Sequence, residues 1–139
     1  MTDFNLQNEQ QLRNTWRATF LTRWHNNPEL AHTQDRLCGH SGRVALIIHH
    51  CWPGCRKALI MAALTHDLGE ALFAGDMSAT AKAENPKLAA LLAEGENAEL
   101  KKLGFAFDIS HGETNMLKYA DRPDAHPWAL HHAPHLDAP

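Results

Sequence analysis

An imidazole and a carboxylate stand side by side at His66-Asp67, inside the run Ala62-Ala63-Leu64-Thr65-His66-Asp67-Leu68-Gly69-Glu70. Two neighbours about 100° apart on a helix can both turn toward one divalent ion. Metal binding gives a reason to place them behind small apolar residues. His40 upstream and Asp121 downstream, each in a helix-like stretch, can close the shell. Two imidazoles and two carboxylates suit a first-row divalent ion such as Zn, Co, Mn, Fe or Ni. Four protein ligands leave open positions on a five- or six-coordinate ion, where water is acidified toward neutrality and can attack phosphorus. The alternative makes His40 and His66 satisfied core histidines and Asp121 a helix-end charge, and it has to account for three placements separately.

Other residues extend this chemistry. Glu70 lies one helical turn after Asp67 and so shares the metal-facing side. It is suited to orient or deprotonate the attacking water, or to protonate the leaving oxygen. Asp76 follows Gly75 at an expected helix end, where a carboxylate can point back into the cleft. Lys118 precedes Asp121 by one turn. A lysine beside an ion is repelled by it unless an anion lies between, which makes a polyphosphate a natural occupant. Lys101-Lys102 reads as a solvated pair, and Arg36 and Arg43 are further cationic candidates. His49 is nine residues after His40, an offset of about 180° on a straight helix, so the two cannot face one ion.

These residues need elements to carry them, and the pattern is helical throughout. From residue 6 to about 25, Leu12, Trp16, Phe20 and Trp24 recur every four residues as a core stripe, until Asn26-Asn27-Pro28 breaks the helix. Residues 29–38 read as loop. His40 to Cys51 is a helix with Val44, Ile47 and Ile48 on one face, stopped by Trp52-Pro53-Gly54. Arg56 to about Phe73 is a second apolar helix that runs through His66-Asp67 and tolerates Gly69. Asn85-Pro86 opens the next helix as cap and first position, and Gly104 closes it, with Gly95 a candidate break. Ser110 and Glu113 form a capping box for a helix through Ala120, and residues 127–133 form a last one between Pro127 and Pro134. No segment alternates with period two long enough for a strand. The expected fold is all-α, a single domain over residues 1–139, a bundle of about six helices.

Composition sets the bounds. A chain of 139 residues buries roughly two thirds of its unfolded surface, enough for one core. A net charge of −3 disfavours a broad nucleic-acid footprint, and no apolar run approaches the roughly 20 residues of a membrane span. Cys38, Cys51 and Cys55 are odd in number and make no disulfide framework; they read as reduced thiols of a cytoplasmic protein, ahead of a zinc site with His49 and His50. Apolar helix faces such as Leu88–Leu92 suggest a homo-oligomer.

The order His40, His66-Asp67, Asp121 resembles the HD-domain superfamily of metal-dependent phosphohydrolases. So do the local contexts Gly39-His40-Ser41-Gly42-Arg43-Val44-Ala45 and Lys118-Tyr119-Ala120-Asp121-Arg122-Pro123-Asp124-Ala125. The resemblance covers roughly residues 20–126 and implies that these four residues hold the metal. Within that superfamily, Glu70, Gly75-Asp76 and Lys82 resemble the motif of the YfbR-like 5′-deoxynucleotidases and the small phage dATP triphosphohydrolases (DatZ). The interval between Glu70 and Asp76 is one residue longer than in the deoxynucleotidase pattern. The resemblance also implies that Arg23 reaches phosphate, that Trp24 packs where a 2′-hydroxyl would sit, and that Lys82 joins Lys118 in cradling phosphates. A guanidinium fork and an indole wall suit those tasks. The implied function is metal-dependent hydrolysis of deoxynucleoside phosphates, foremost dATP to deoxyadenosine and triphosphate or by stepwise phosphate release, in the cytoplasm of a phage host. The implied cofactor is a divalent ion such as Zn, Co or Mn, with Mg accompanying the phosphates. A 5′-deoxynucleotidase acting on monophosphates is the nearest alternative, and a non-catalytic metal-binding module is the alternative of another class.

Overall fold

A computed structural model describes residues 6–24, 27–69 and 79–133, so Glu70 and Asp76 lie outside the described residues. Six helices fall among those described: α1 (Leu6–Ala18), α2 (Leu37–Cys51), α3 (Lys57–Thr65), α4 (Ala79–Glu84), α5 (Pro86–Lys102) and α6 (His111–His132). They contain no strand, only an isolated antiparallel bridge between Thr22 and Arg36. The all-α expectation holds. No helix among the described residues is long and apolar enough to cross a membrane.

The centre is the packing of α2 against α3 and α6. Along α2 the buried positions are Leu37, His40, Ser41, Val44, Ala45 and Ile48, a stripe at helical spacing with His40 inside it. Val44, Ala45 and Ile48 meet Leu59 and Ala63 of α3 and Ala120 of α6. The small residues Ala45, Ala63 and Ala120 let the three axes approach closely, so polar side chains one turn away on each helix are brought together. A second cluster joins Ala18, Leu37, Leu68 and Leu103, tying the end of α1 and the segment after His66-Asp67 to the end of α5.

The chain terminates its helices largely as its cap residues dictate. The Asn85 side chain accepts from the Leu88 amide at 3.1 Å and Pro86 takes the first turn of α5. Ser110 and Glu113 close a reciprocal capping box on α6. Gly104 has φ +85°, the left-handed conformation that ends α5 after Leu103, and Gly95 does not interrupt that helix.

Four expectations change. The first helix stops at Ala18 rather than near residue 25. The Thr19 hydroxyl bonds the Trp16 carbonyl at 2.6 Å, and the Phe20 and Leu21 amides reach back only three residues, which tightens the last turn and ends it. Residues 21–24 then run beside residues 35–37, with Arg23 N to Asp35 O at 2.9 Å and Leu37 N to Leu21 O at 3.0 Å. Leu12, Trp16 and Phe20 consequently form an exposed stripe, not a core one, with Trp16 at 62% exposure. The second helix begins at Leu37, three residues before His40. The third ends at Thr65, and His66-Asp67 forms the turn that follows it. Finally, α6 continues through Pro123 and Pro127 to His132 instead of dividing near Pro127. Both prolines are exposed and four apart, so the backbone hydrogen bonds they forgo fall on the solvent side, while buried Ala120 and Asp124 secure the other side.

Candidate metal centre

His40 comes from the first turn of α2, His66 and Asp67 from the turn after α3, and Asp121 from the middle of α6. The four side chains converge. His40 Nε2 lies 3.3 Å from His66 Nε2, 3.1 Å from Asp67 Oδ2 and 3.2 Å from Asp121 Oδ1. His66 Nε2 lies 3.3 Å from Asp67 Oδ1 and 3.9 Å from Asp121 Oδ1. Exposure is graded: the His40 side chain is fully buried, whereas that of Asp121 is 43% exposed. The floor of the group is therefore closed, and its rim opens at Asp121.

The tautomers of both rings follow from their other nitrogens. His66 Nδ1 lies 2.8 Å from the Ala63 carbonyl, which only accepts, so Nδ1 carries the proton. His40 Nδ1 lies 2.7 Å from Asp124 Oδ2, a buried carboxylate, and donates to it in the same way. In neutral rings both Nε2 lone pairs then face each other across 3.3 Å. That arrangement is repulsive unless a proton or a cation sits between them. Two donors each about 2.0–2.1 Å from one zinc-sized ion at a tetrahedral angle are about 3.3 Å apart. The donor set thus fits a first-row divalent ion, with His40, His66 and Asp67 as its tightest three members and Asp121 at the rim.

Without an ion, protons do that work. Burial disfavours a charged His40, but Asp121, Asp124 and Asp67 outweigh it and push the ring up to about 10. His66 is raised likewise: burial opposes its charge, and Asp121 and Asp67 prevail. Burial alone would raise Asp67 and Asp121; the two imidazoles hold both below the usual carboxylate range. The group behaves as a cation-seeking anionic pocket.

Behind it stands a layer that sequence reasoning missed in part. Arg43 donates through Nε and Nη2 to both oxygens of Asp124, and through Nη2 to Asp35 Oδ1 at 2.9 Å. Asp35, almost fully buried, also accepts from Arg23 Nη1 and Trp24 Nε1, each at 3.0 Å. Helical spacing could have found Asp124, one turn after Asp121 on the same side of α6. Asp35 carries no periodic signal, because it sits in an irregular segment before α2.

Arg23 and Trp24 lie just beyond the first helix rather than at its end, with the Arg23 guanidinium 4.9 Å from the Trp24 ring centre. Trp24 has φ 66°, costly for a bulky residue and sustained here by its indole bond to Asp35. Arg23 is close enough to the cluster to help hold Asp67 ionised. Lys82 lies on α4, half-buried, with Nζ 3.7 Å from Glu96 Oε1 of α5. Lys118 is exposed on α6. Arg36 is now distinct from Arg43, since it binds the Phe20 carbonyl and the Thr22 hydroxyl and anchors the strip after α1. The three cysteines are free thiols.

Gly69 fixes how this turn leaves the site. A Cβ there would stand 2.3 Å from the Glu96 carbonyl oxygen and 2.9 Å from Leu100 Cγ. Only glycine lets the segment following His66-Asp67 press on the α5 backbone.

No family model, curated protein or solved structure matches this chain.

Proposed function

We propose that this protein is a metal-dependent phosphohydrolase acting on deoxynucleoside phosphates, with dATP the leading substrate. The observation that carries the metal part is the pair of imidazole Nε2 atoms facing each other at 3.3 Å while both Nδ1 atoms are engaged elsewhere. Two carboxylates at the same point supply the charge that a divalent ion needs. His40, His66, Asp67 and Asp121 would hold the ion, which supplies Lewis-acid activation of water and neutralises charge at phosphorus. The rim at Asp121 gives a phosphate access, while the buried floor at His40 keeps the inner side dry. Glu70 is assigned the proton transfers to and from water, with Asp76 assisting. Arg23, Lys82 and Lys118 are assigned to the phosphates, and Trp24 to the sugar face. The deoxynucleotide part rests on the resemblance of these residues to the YfbR-like and phage dATP-hydrolysing enzymes.

A monophosphate substrate is the second reading. It is favoured by the position of Lys82, which faces Glu96 across 3.7 Å, and by the engagement of Arg23 with Asp35. Fewer cations are then required at the substrate. The exposed stripe Leu12, Trp16 and Phe20 supports a homo-oligomer, which light scattering checks.

The test is a panel of dATP, ATP, dAMP and dTMP with metal-stripped and metal-restored protein, its products separated by chromatography. Asp67→Ala is expected to abolish hydrolysis of every substrate. Hydrolysis that persists in that variant removes the metal mechanism. Release of intact triphosphate from dATP selects the triphosphohydrolase over the nucleotidase.

A further inference from the structure

We propose that Asp124 is the positioning residue of the metal centre, acting through His40; this deepens the metal assignment above and rests on it. The two imidazoles are secured differently. His66 follows the end of α3 and finds the Ala63 carbonyl of its own last turn at 2.8 Å. His40 lies in the first turn of α2, where the carbonyls from Arg36 onward are already committed to the helical ladder, Arg36 O to His40 N itself at 3.1 Å. It needs an acceptor from elsewhere, and α6 delivers one: Asp124 Oδ2 at 2.7 Å from Nδ1.

The same turn of α6 therefore carries a rim ligand, Asp121, and a buried brace, Asp124. The brace is itself held. Arg43 grips both oxygens of Asp124, Asp35 grips Arg43, and Arg23 closes the group on Asp35. Two carboxylates against two guanidiniums make this layer neutral, so Asp67 and Asp121 remain to balance the charge of a divalent ion. A charged acceptor on Nδ1 locks the tautomer, prevents ring rotation and strengthens Nε2 as a donor. Asp124 touches neither substrate nor ion; its effect passes through one ring.

The experiment is titration of the metal-stripped protein with Co2+, following the visible absorption bands. The wild type is compared with D124N and D124A, and apo melting curves are recorded for each. We expect D124A to bind Co2+ about 10–100-fold more weakly, with altered visible bands. D124N keeps an acceptor but loses its charge, so it should show a smaller loss. Unchanged affinity and bands in D124A overturn the proposal, even when its melting temperature falls, because a purely structural role moves only the latter. Should D124A not fold, D124N decides: wild-type affinity and bands overturn the proposal, and a weakened, altered complex supports it. A wild type that takes up no Co2+ fails the metal assignment itself, and the inference falls with it.

Discussion

In the metal-free protein, raising the pH from 7 to 9 is expected to weaken this fold measurably. His40 is raised from 6.5 to about 10 because Asp121, Asp124 and Asp67 together outweigh the burial that opposes its charge. A basic group with a raised folded pKa contributes stability that is fully present below its unfolded pKa. That contribution is lost as the pH rises through the folded value. With limits of 6.5 and about 10, it is about 4 kcal/mol at pH 7 and about 1 kcal/mol at pH 9. That loss of a few kcal/mol corresponds to a fall in melting temperature on the order of 10 °C for a chain of this size. An ion at His40 Nε2 replaces the proton, so loading with Zn2+ or Co2+ must abolish or reverse the fall. The assay is thermal unfolding by circular dichroism at pH 7 and 9, with chelator and with metal, using His40→Gln to set the background from other groups. Equal stability of the metal-stripped wild type at the two pH values refutes the account of the cluster as a proton-held anionic pocket.

Further outcomes follow from other contacts. Gly69→Ala forces a methyl onto the Glu96 carbonyl, 2.3 Å away, and is expected to destabilise by about 1–3 kcal/mol; a denaturant midpoint equal to that of the wild type contradicts the close approach. Glu113 is held down to about 2, chiefly by Arg56 and then by the Ser110 amide. Its lowered carboxyl contributes stability above pH 4.5 that is lost as the pH falls toward 2, so Glu113→Gln should flatten the acid limb of the stability profile. Parallel profiles for the two proteins would count against that pairing. Trp24→Ala should weaken discrimination between dATP and ATP, and an unchanged ratio of kcat/KM values removes the sugar-gate role.

The helical core was legible because its signals are local and repeated. Asn85, Ser110 and Glu113 occupy cap positions whose side chains have little else to do, and each forms the cap expected of it. The stripe on α2 has the right period, so its buried face follows from spacing. What spacing could not give is which apolar stripe finds a partner. Leu12, Trp16 and Phe20 keep helical spacing yet remain exposed, because the chain leaves α1 at Ala18 and turns back along residues 35–37. Periodicity likewise overextended α3, since Leu68 continues its apolar pattern after the helix has ended. Proline misled in the other direction at α6: the rule assumes that the lost hydrogen bond matters, and here it lies on the wet side.

The candidate metal group shows the same division between local and tertiary information. His66-Asp67 was conspicuous because neighbouring polar residues in an apolar run need a common purpose. His40 and Asp121 joined it through residue type, and the geometry brings all four within 3.1–3.9 Å contacts. Their flanking alanines explain how: Ala45, Ala63 and Ala120 allow α2, α3 and α6 to meet closely enough for short side chains to converge. Asp35 had no such signal. Its importance arises from being buried where Arg23, Trp24 and Arg43 meet, which depends on two irregular segments crossing. A carboxylate there makes the left-handed Trp24 tolerable and keeps Arg43 on Asp124. The least regular part of the chain thus determines how firmly its most recognisable residues are held.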